Sequence, residues 1–224
     1  HIPTPNSPMI AHAMSAPFTP TDRSIQSTSN IGDASGQEFL NACFSDMEYA
    51  KLLVESNKFF DVNWKDSNGN SLLHIMAYKD HVIGMQLLLD NGANPNSLNM
   101  NKESPIHWAT KMRSMRCLSL LVNNGGDVTL QDKSGSTALH YTASKGIPEA
   151  VPFLLLNEGA SSQGVLDNDG HTPLDLAMHQ DDDDYKAVVH LFEKHAELEQ
   201  KRMEDARALV TLGGNASREV DGGG

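Results

Sequence analysis

Residues 132–155 read DKSGSTALHYTASKGIPEAVPFLL. The stretch opens as a turn at Ser134-Gly135, enters a short helix at Thr137-Ala138-Leu139-His140, breaks at Gly146 and continues as a second, apolar helix. Similar stretches lie on both sides of it. Ser71-Leu72-Leu73-His74, Ser104-Pro105-Ile106-His107 and Thr172-Pro173-Leu174-Asp175 hold the corresponding positions. His74, His107 and His140 follow one another at 33 residues, and Asp175 follows His140 at 35. A period of this size marks units that cannot bury their apolar faces alone and make a core by stacking.

Repeats of about 33 residues carrying T-P-L-H-x-A resemble the ankyrin family. The resemblance implies an all-α fold, a solenoid of about five helix-turn-helix units with short hairpin loops, extended by a C-terminal helix. Three regions are expected: a disordered Pro/Ser/Thr-rich leader over 1–34, the repeats over 35–196, and a helical connector ending in glycines over 197–224. The leader has too few large apolar residues to offset its ordering entropy; its Thr4-Pro5, Ser7-Pro8 and Thr19-Pro20 would suit a proline-directed kinase, but such dipeptides are frequent in linkers of this composition and a passive linker is the favoured reading.

Composition narrows the function classes. With 224 residues and a formal charge of −12, the chain is a poor nucleic-acid binder, because that affinity rests on cations that neutralise phosphates. The longest apolar run, 150–156, holds a proline and is too short for a transmembrane segment. No signal peptide opens the sequence, so a cytoplasmic location is expected. Cys43 and Cys117 stand alone and read as reduced thiols.

Leu87-Leu88-Leu89, Leu120-Leu121-Val122 and Phe153-Leu154-Leu155 supply the apolar stripe of each second helix, and Gly92, Gly125 and Gly159 follow as structural glycines at positive φ. In the first, divergent unit, Phe39, Leu40 and Cys43 form one helix face, Tyr49, Leu52 and Leu53 the next, and Asp46 is placed as a cap. Lys102 stands where the other hairpin tips have glycine, so that tip is expected to be softer or displaced. His195 replaces a terminating glycine, which lets the last helix run on along a stripe of Val189, Phe192, Ala196, Met203, Ala206 and Val210.

His74, His107 and His140 recur one per repeat instead of converging, so a structural role is expected, with Asp175 hydrogen bonding in the same place. No metal is expected: the Asp181–Asp184 run lacks the spacing and closing glutamate of an EF-hand loop. No catalytic triad motif and no phosphate-binding glycine loop occur in the repeats, and no cofactor is expected. In such solenoids the first helices line a concave face. Tyr78, Lys79, Trp108, Lys111, Met112, Tyr141, Ser144 and Lys145 align there as a candidate patch for an acidic, partly apolar protein partner. Trp108 and Tyr141 read rather as inter-repeat packing than as contacts, whereas Tyr78, Lys79 and Lys111 read as the better exposed candidates.

The sequence ends in Asp221-Gly222-Gly223-Gly224. Repeats followed by a connector and D-G-G-G resemble the ankyrin region of calcium-independent, patatin-like phospholipases. In that family D-G-G-G opens the catalytic domain, and its amides form the oxyanion hole, so the resemblance makes Gly222 and Gly223 candidate oxyanion donors. The nucleophile elbow and catalytic aspartate would lie downstream, so this segment is expected to reach phospholipid only through a further domain. The alternative is a standalone ankyrin adaptor or inhibitor of the transcription-factor-regulator type.

Overall fold

The computed structural model describes residues 31–56, 60–158, 162–178 and 182–216. Gly159, most of the leader, Asp181 and the terminal glycines Gly222 and Gly223 lie outside these residues. The helices are α1 (Ile31–Ser45), α2 (Met47–Ser56), α3 (Leu72–Tyr78), α4 (Val82–Asp90), α5 (Pro105–Lys111), α6 (Met115–Asn123), α7 (Ala138–Lys145), α8 (Val151–Glu158), α9 (Pro173–Met178) and α10 (Asp183–Ala216). Among the described residues the extended pairing is confined to the bridge Lys65–Ser71, so the fold is an all-α helical repeat solenoid.

Two helix layers build it. The first helices α3, α5, α7 and α9 pack in sequence, and α4 packs between α2 and α6 in the second layer. The layers meet over Leu72, Met76, Ile106 and Leu139 from the first and Met85, Leu88, Leu118, Leu121 and Leu154 from the second, all fully buried. Each short helix has at most nine residues between α3 and α9, below the length at which an isolated helix holds in water, so stacking is what makes them helical.

The first unit differs from its sequence reading in one face. Phe39, Leu40 and Cys43 of α1 are buried, and Asp46 Oδ1 accepts the Tyr49 amide at 3.2 Å as a cap. In α2, however, Ala50 and Val54 point into the core, while Tyr49 and Leu52 are 43% and 57% exposed and Leu53 is half-buried. Phe39, tilted against Phe60 at 5.3 Å, is the fully buried large side chain of this unit, and Trp64 packs against the core. Trp64 lies so close over Gly36 that a Cβ there would come within 2.1 Å of its ring.

The Lys102 tip also departs from expectation. Lys102 itself takes φ +58° and donates its amide to Asn99 O at 2.9 Å, matching Gly69 to Asp66 O at 2.9 Å. The tip is therefore not displaced. Neighbouring tips lock it: Met100 N donates to Asn68 O at 3.0 Å and Lys133 N to Asn101 O at 2.9 Å.

Asp182 Oδ1 accepts the Asp184 amide at 3.2 Å where α10 begins, and α10 packs on α7, α8 and α9 through buried Val188 and Phe192. It continues unbroken through His195. Past Phe192 the stripe meets water: Ala196 and Ala206 are exposed, and Leu198, Met203 and Leu209 are 53%, 58% and 70% exposed. No helix among the described residues is long and apolar enough to cross a membrane.

Candidate functional site

The hairpins and the first helices that follow them form one continuous face, and a repeated hydrogen-bond unit sets its geometry. Eight residues before each motif histidine, a side-chain oxygen closes the hairpin. Asp132 Oδ1 accepts the amides of Ser134 (2.8 Å) and Ser136 (3.0 Å), Asn99 Oδ1 those of Asn101 (2.9 Å) and Glu103 (3.0 Å), and Asp66 Oδ1 those of Asn68 and Asn70 (both 2.8 Å). Asp167 repeats the pattern with Asp169 and His171 at 3.0 and 2.9 Å. Satisfying these amides locally fixes each turn.

The histidines then join hairpin to hairpin. Nδ1 of His74, His107 and His140 accepts the N-cap amide of Ser71, Ser104 and Thr137 at 3.0, 3.0 and 3.1 Å. An accepting Nδ1 places the proton on Nε2. Nε2 then donates to the next repeat's hairpin carbonyl: Glu103 O at 2.9 Å, Ser136 O at 3.1 Å and His171 O at 3.2 Å. Burial holds all three imidazoles neutral, pushing His74 down to about 4 and His107 and His140 below their usual value. In the last unit Asp175 Oδ2 takes the Nδ1 place, accepting the Thr172 amide at 2.8 Å and hydroxyl at 2.7 Å.

On this frame lies a row of aromatic and basic side chains. Tyr78 stands edge-on to Trp108 at 5.8 Å, and Trp108 is edge-on to His74 at 5.6 Å. Buried Glu103 receives three donors: Asn99 Nδ2 at 2.9 Å, Trp108 Nε1 at 3.0 Å, and Lys111 Nζ. Burial alone would raise the Glu103 carboxyl, but these donors outweigh it and hold it below the usual range. One repeat on, the Tyr141 hydroxyl donates to buried Asp132, while Lys111 Nζ lies 4.1 Å from the Tyr141 ring centroid. Burial followed by that carboxylate raises the Tyr141 hydroxyl pKa, so it remains a neutral donor.

The sequence-singled residues therefore divide. Tyr78 is 44% exposed with Lys79 Nζ 5.2 Å from its ring centroid, Met112 is 38% exposed, and Ser144 and Lys145 face solvent. Trp108 and Tyr141 are half-buried between repeats. Lys111 departs from its reading as an exposed cation: its side chain is 20% exposed and paired with Glu103. Sequence reasoning also passed over Glu103, Asp132 and Arg113. Arg113 sits at φ +56° and donates Nη2 to Lys145 O at 3.3 Å and Gly146 O at 2.8 Å, tying one repeat to the helix end of the next. The signal for the hairpin acids was the common offset of eight residues from the motif histidine.

Two other groups bear on chemistry. Asp167, Asp169 and His171 bring ligand-type atoms within 4.8 Å of one another, but Asp167 already closes its own hairpin and two of the three are exposed. Cys43 and Cys117 are free and buried, and burial pushes both thiols up to about 12, far from a nucleophilic thiolate at neutral pH.

The family model for ankyrin repeats matches residues 39–132 and 106–202. The chain is 36% identical to inversin of Canis lupus familiaris over 124 residues, which make 54% of this chain and 11% of inversin. It is 36% identical over 123 residues to the nuclear factor NF-kappa-B p105 subunit of Gallus gallus, covering 52% of this chain and 12% of that one. To the probable 26S proteasome regulatory subunit p28 of Saccharomyces cerevisiae it is 28% identical over 150 residues, 66% of this chain and 65% of that one. The chain thus spans about an eighth of the length of the first two relatives. The matched span takes in the divergent first unit, the histidine-linked repeats and the start of α10, and the chain belongs to the ankyrin-repeat family, whose repeats imply a protein–protein interaction module.

Proposed function

We propose that the hairpin and first-helix face, the one read as concave, is where this module receives its protein partner, with Tyr78, Lys79, Met112 and Lys145 as the contact residues. The observation that carries the reading is the fixed aromatic step from Tyr78 to Trp108, with the indole held by Glu103. Interface hot spots are commonly aromatic side chains whose position is set before binding, because little rotamer freedom is then lost. Trp108, Lys111 and Tyr141 support the contact residues from beneath.

Capture of the partner by wild-type protein and by Tyr78→Ala/Met112→Ala, compared with Ile83→Ser on α4, tests this. Loss in the double variant and retention in Ile83→Ser is expected; the reverse pattern overturns it.

For the biological setting, we propose the regulatory N-terminal region of a patatin-like phospholipase, supported by Asp221-Gly222-Gly223-Gly224 after the connector. Lipid ester hydrolysis would then belong to a domain following Gly224, with Gly222 and Gly223 as oxyanion donors. The named relatives do not indicate a phospholipase, and the alternative setting is an ankyrin adaptor or inhibitor of the transcription-factor-regulator type. Phospholipid cleavage by the natural full-length chain, abolished by Gly222→Val, supports the enzyme setting, and an inert full-length chain selects the adaptor.

A further inference from the structure

Charge is sorted by layer in these repeats. The hairpin and first-helix segments 64–79, 97–112 and 130–145 each carry two lysines and one carboxylate, six lysines against three acids. The intervening second-helix segments 80–96, 113–129 and 146–158 hold five acids, no lysine and two arginines. One of those arginines, Arg113, lies 3.8 Å from Glu149 and bonds backbone carbonyls. The sorting stops at the third of these segments, because the fourth hairpin and first helix, 163–178, carry Asp167, Asp169 and Asp175 and no lysine, so the chain of net charge −12 presents a positive stretch confined to the three middle repeats.

The structure strengthens this sorting. The three acids of the positive face are turned inward: Asp66 and Asp132 close their hairpins, and Glu103 is engaged by Lys111, Asn99 and Trp108. Lys65 Nζ donates to Leu98 O at 2.8 Å. Among the described residues, Lys79, Lys102, Lys133 and Lys145 are exposed and have no carboxylate partner. Lys79, Met112 and Lys145 occupy one position in successive repeats, 33 residues apart. Helices packed side by side lie about 8–10 Å apart, which sets Lys79 and Lys145 roughly 16–20 Å apart with exposed Met112 between them. An extended chain covers that distance in about five or six residues.

We infer that this face binds an extended acidic peptide segment of a partner protein, with carboxylates near Lys79 and Lys145 and an apolar side chain seated on Tyr78 and Met112. The inference rests on the interaction-module reading and adds the chemistry of the partner. Opposite charge at the two ends fixes register and speeds encounter, while the apolar seat supplies buried area.

The test is fluorescence anisotropy of the 224-residue protein with a labelled nine-residue peptide, glutamates at both ends and leucine at the centre. Lys79→Glu/Lys145→Glu is expected to weaken Kd at least tenfold and to flatten its salt dependence, and Met112→Ser to weaken it severalfold. Arg116→Glu, on the other layer, should leave Kd within twofold, and circular dichroism should show all variants folded. No binding of the acidic peptide, or equal binding of its lysine counterpart, overturns the inference. So does tighter binding of oligo-dT or of phosphatidylserine vesicles than of the peptide. Partner capture that survives Lys79→Glu/Lys145→Glu but fails in Tyr78→Ala/Met112→Ala overturns the acidic-segment inference and leaves the interaction-module reading standing.

Discussion

Lowering the pH from 6.5 toward 4 should unlink the repeats. Each motif imidazole is buried and neutral, with Nδ1 accepting an N-cap amide and Nε2 donating to the next hairpin. Protonation turns Nδ1 into a donor facing a donor and places a charge in the core. The folded-state pKa of His74 is pushed from 6.5 to about 4 by burial, so the unfolded chain binds the proton first. Stability from this group is complete above about pH 6.5 and is lost as pH falls through its folded value. The span corresponds to roughly 3 kcal/mol, with a slope of at most about 1.4 kcal/mol per pH unit for each such histidine. His107 and His140 shift in the same direction. Glu103 and Asp132, held below their usual values of 4.5 and 3.8, lose their contribution only at lower pH, so the histidine window is separable. Urea unfolding followed by circular dichroism between pH 7.5 and 4.5 measures it. Wild type should fall steeply below pH 6.5. His74→Gln should be less stable at pH 7.5, yet lose about 2–3 kcal/mol less than wild type on acidification. A wild-type midpoint that is flat across the window, or an unchanged slope in His74→Gln, would refute the neutral-bridge account.

Three substitutions probe the packing and backbone. Lys102→Gly should raise stability by about 0.5–1 kcal/mol in urea unfolding, because relief of the left-handed conformation exceeds glycine's extra unfolded-state entropy. Gly36→Ala should destabilise by about 1–3 kcal/mol in the same assay, since its Cβ meets the Trp64 ring. Thr110→Val should gain about 1 kcal/mol, because the buried Thr110 hydroxyl has no hydrogen-bond partner among the described residues and valine keeps its shape.

The fold was legible because a Ser or Thr followed three residues later by His recurs at period 33, at Ser71/His74, Ser104/His107 and Thr137/His140, and the capping chemistry that this register encodes is local. What escaped was set by neighbours. Leu52 and Ala50 of α2 could each have faced inward; tertiary packing buries Ala50 and leaves Leu52 57% exposed. The Lys102 tip is kept in place by its neighbours Met100, whose amide donates to Asn68 O, and Asn101, whose carbonyl accepts from Lys133 N, each bond spanning 32 residues of sequence. The binding patch was half legible. Tyr78 and Lys79 are exposed as their positions suggest, but Lys111 meets a glutamate eight residues earlier that only the turn brings back to it. The sorting of charge by layer lay open in the sequence, yet it gains meaning only once hairpins and first helices share a face.

The most direct measurement is site-specific photo-crosslinking in the natural full-length protein, with the photoreactive residue placed at Met112 or at Leu156. Met112 lies on the positive face, and Leu156, 82% exposed, lies on α8 in the other layer. The account expects a discrete partner-protein adduct from position 112 that Lys79→Glu/Lys145→Glu abolishes, and none from position 156. An adduct from position 156 with none from 112 would place the partner on the second helices and contradict it.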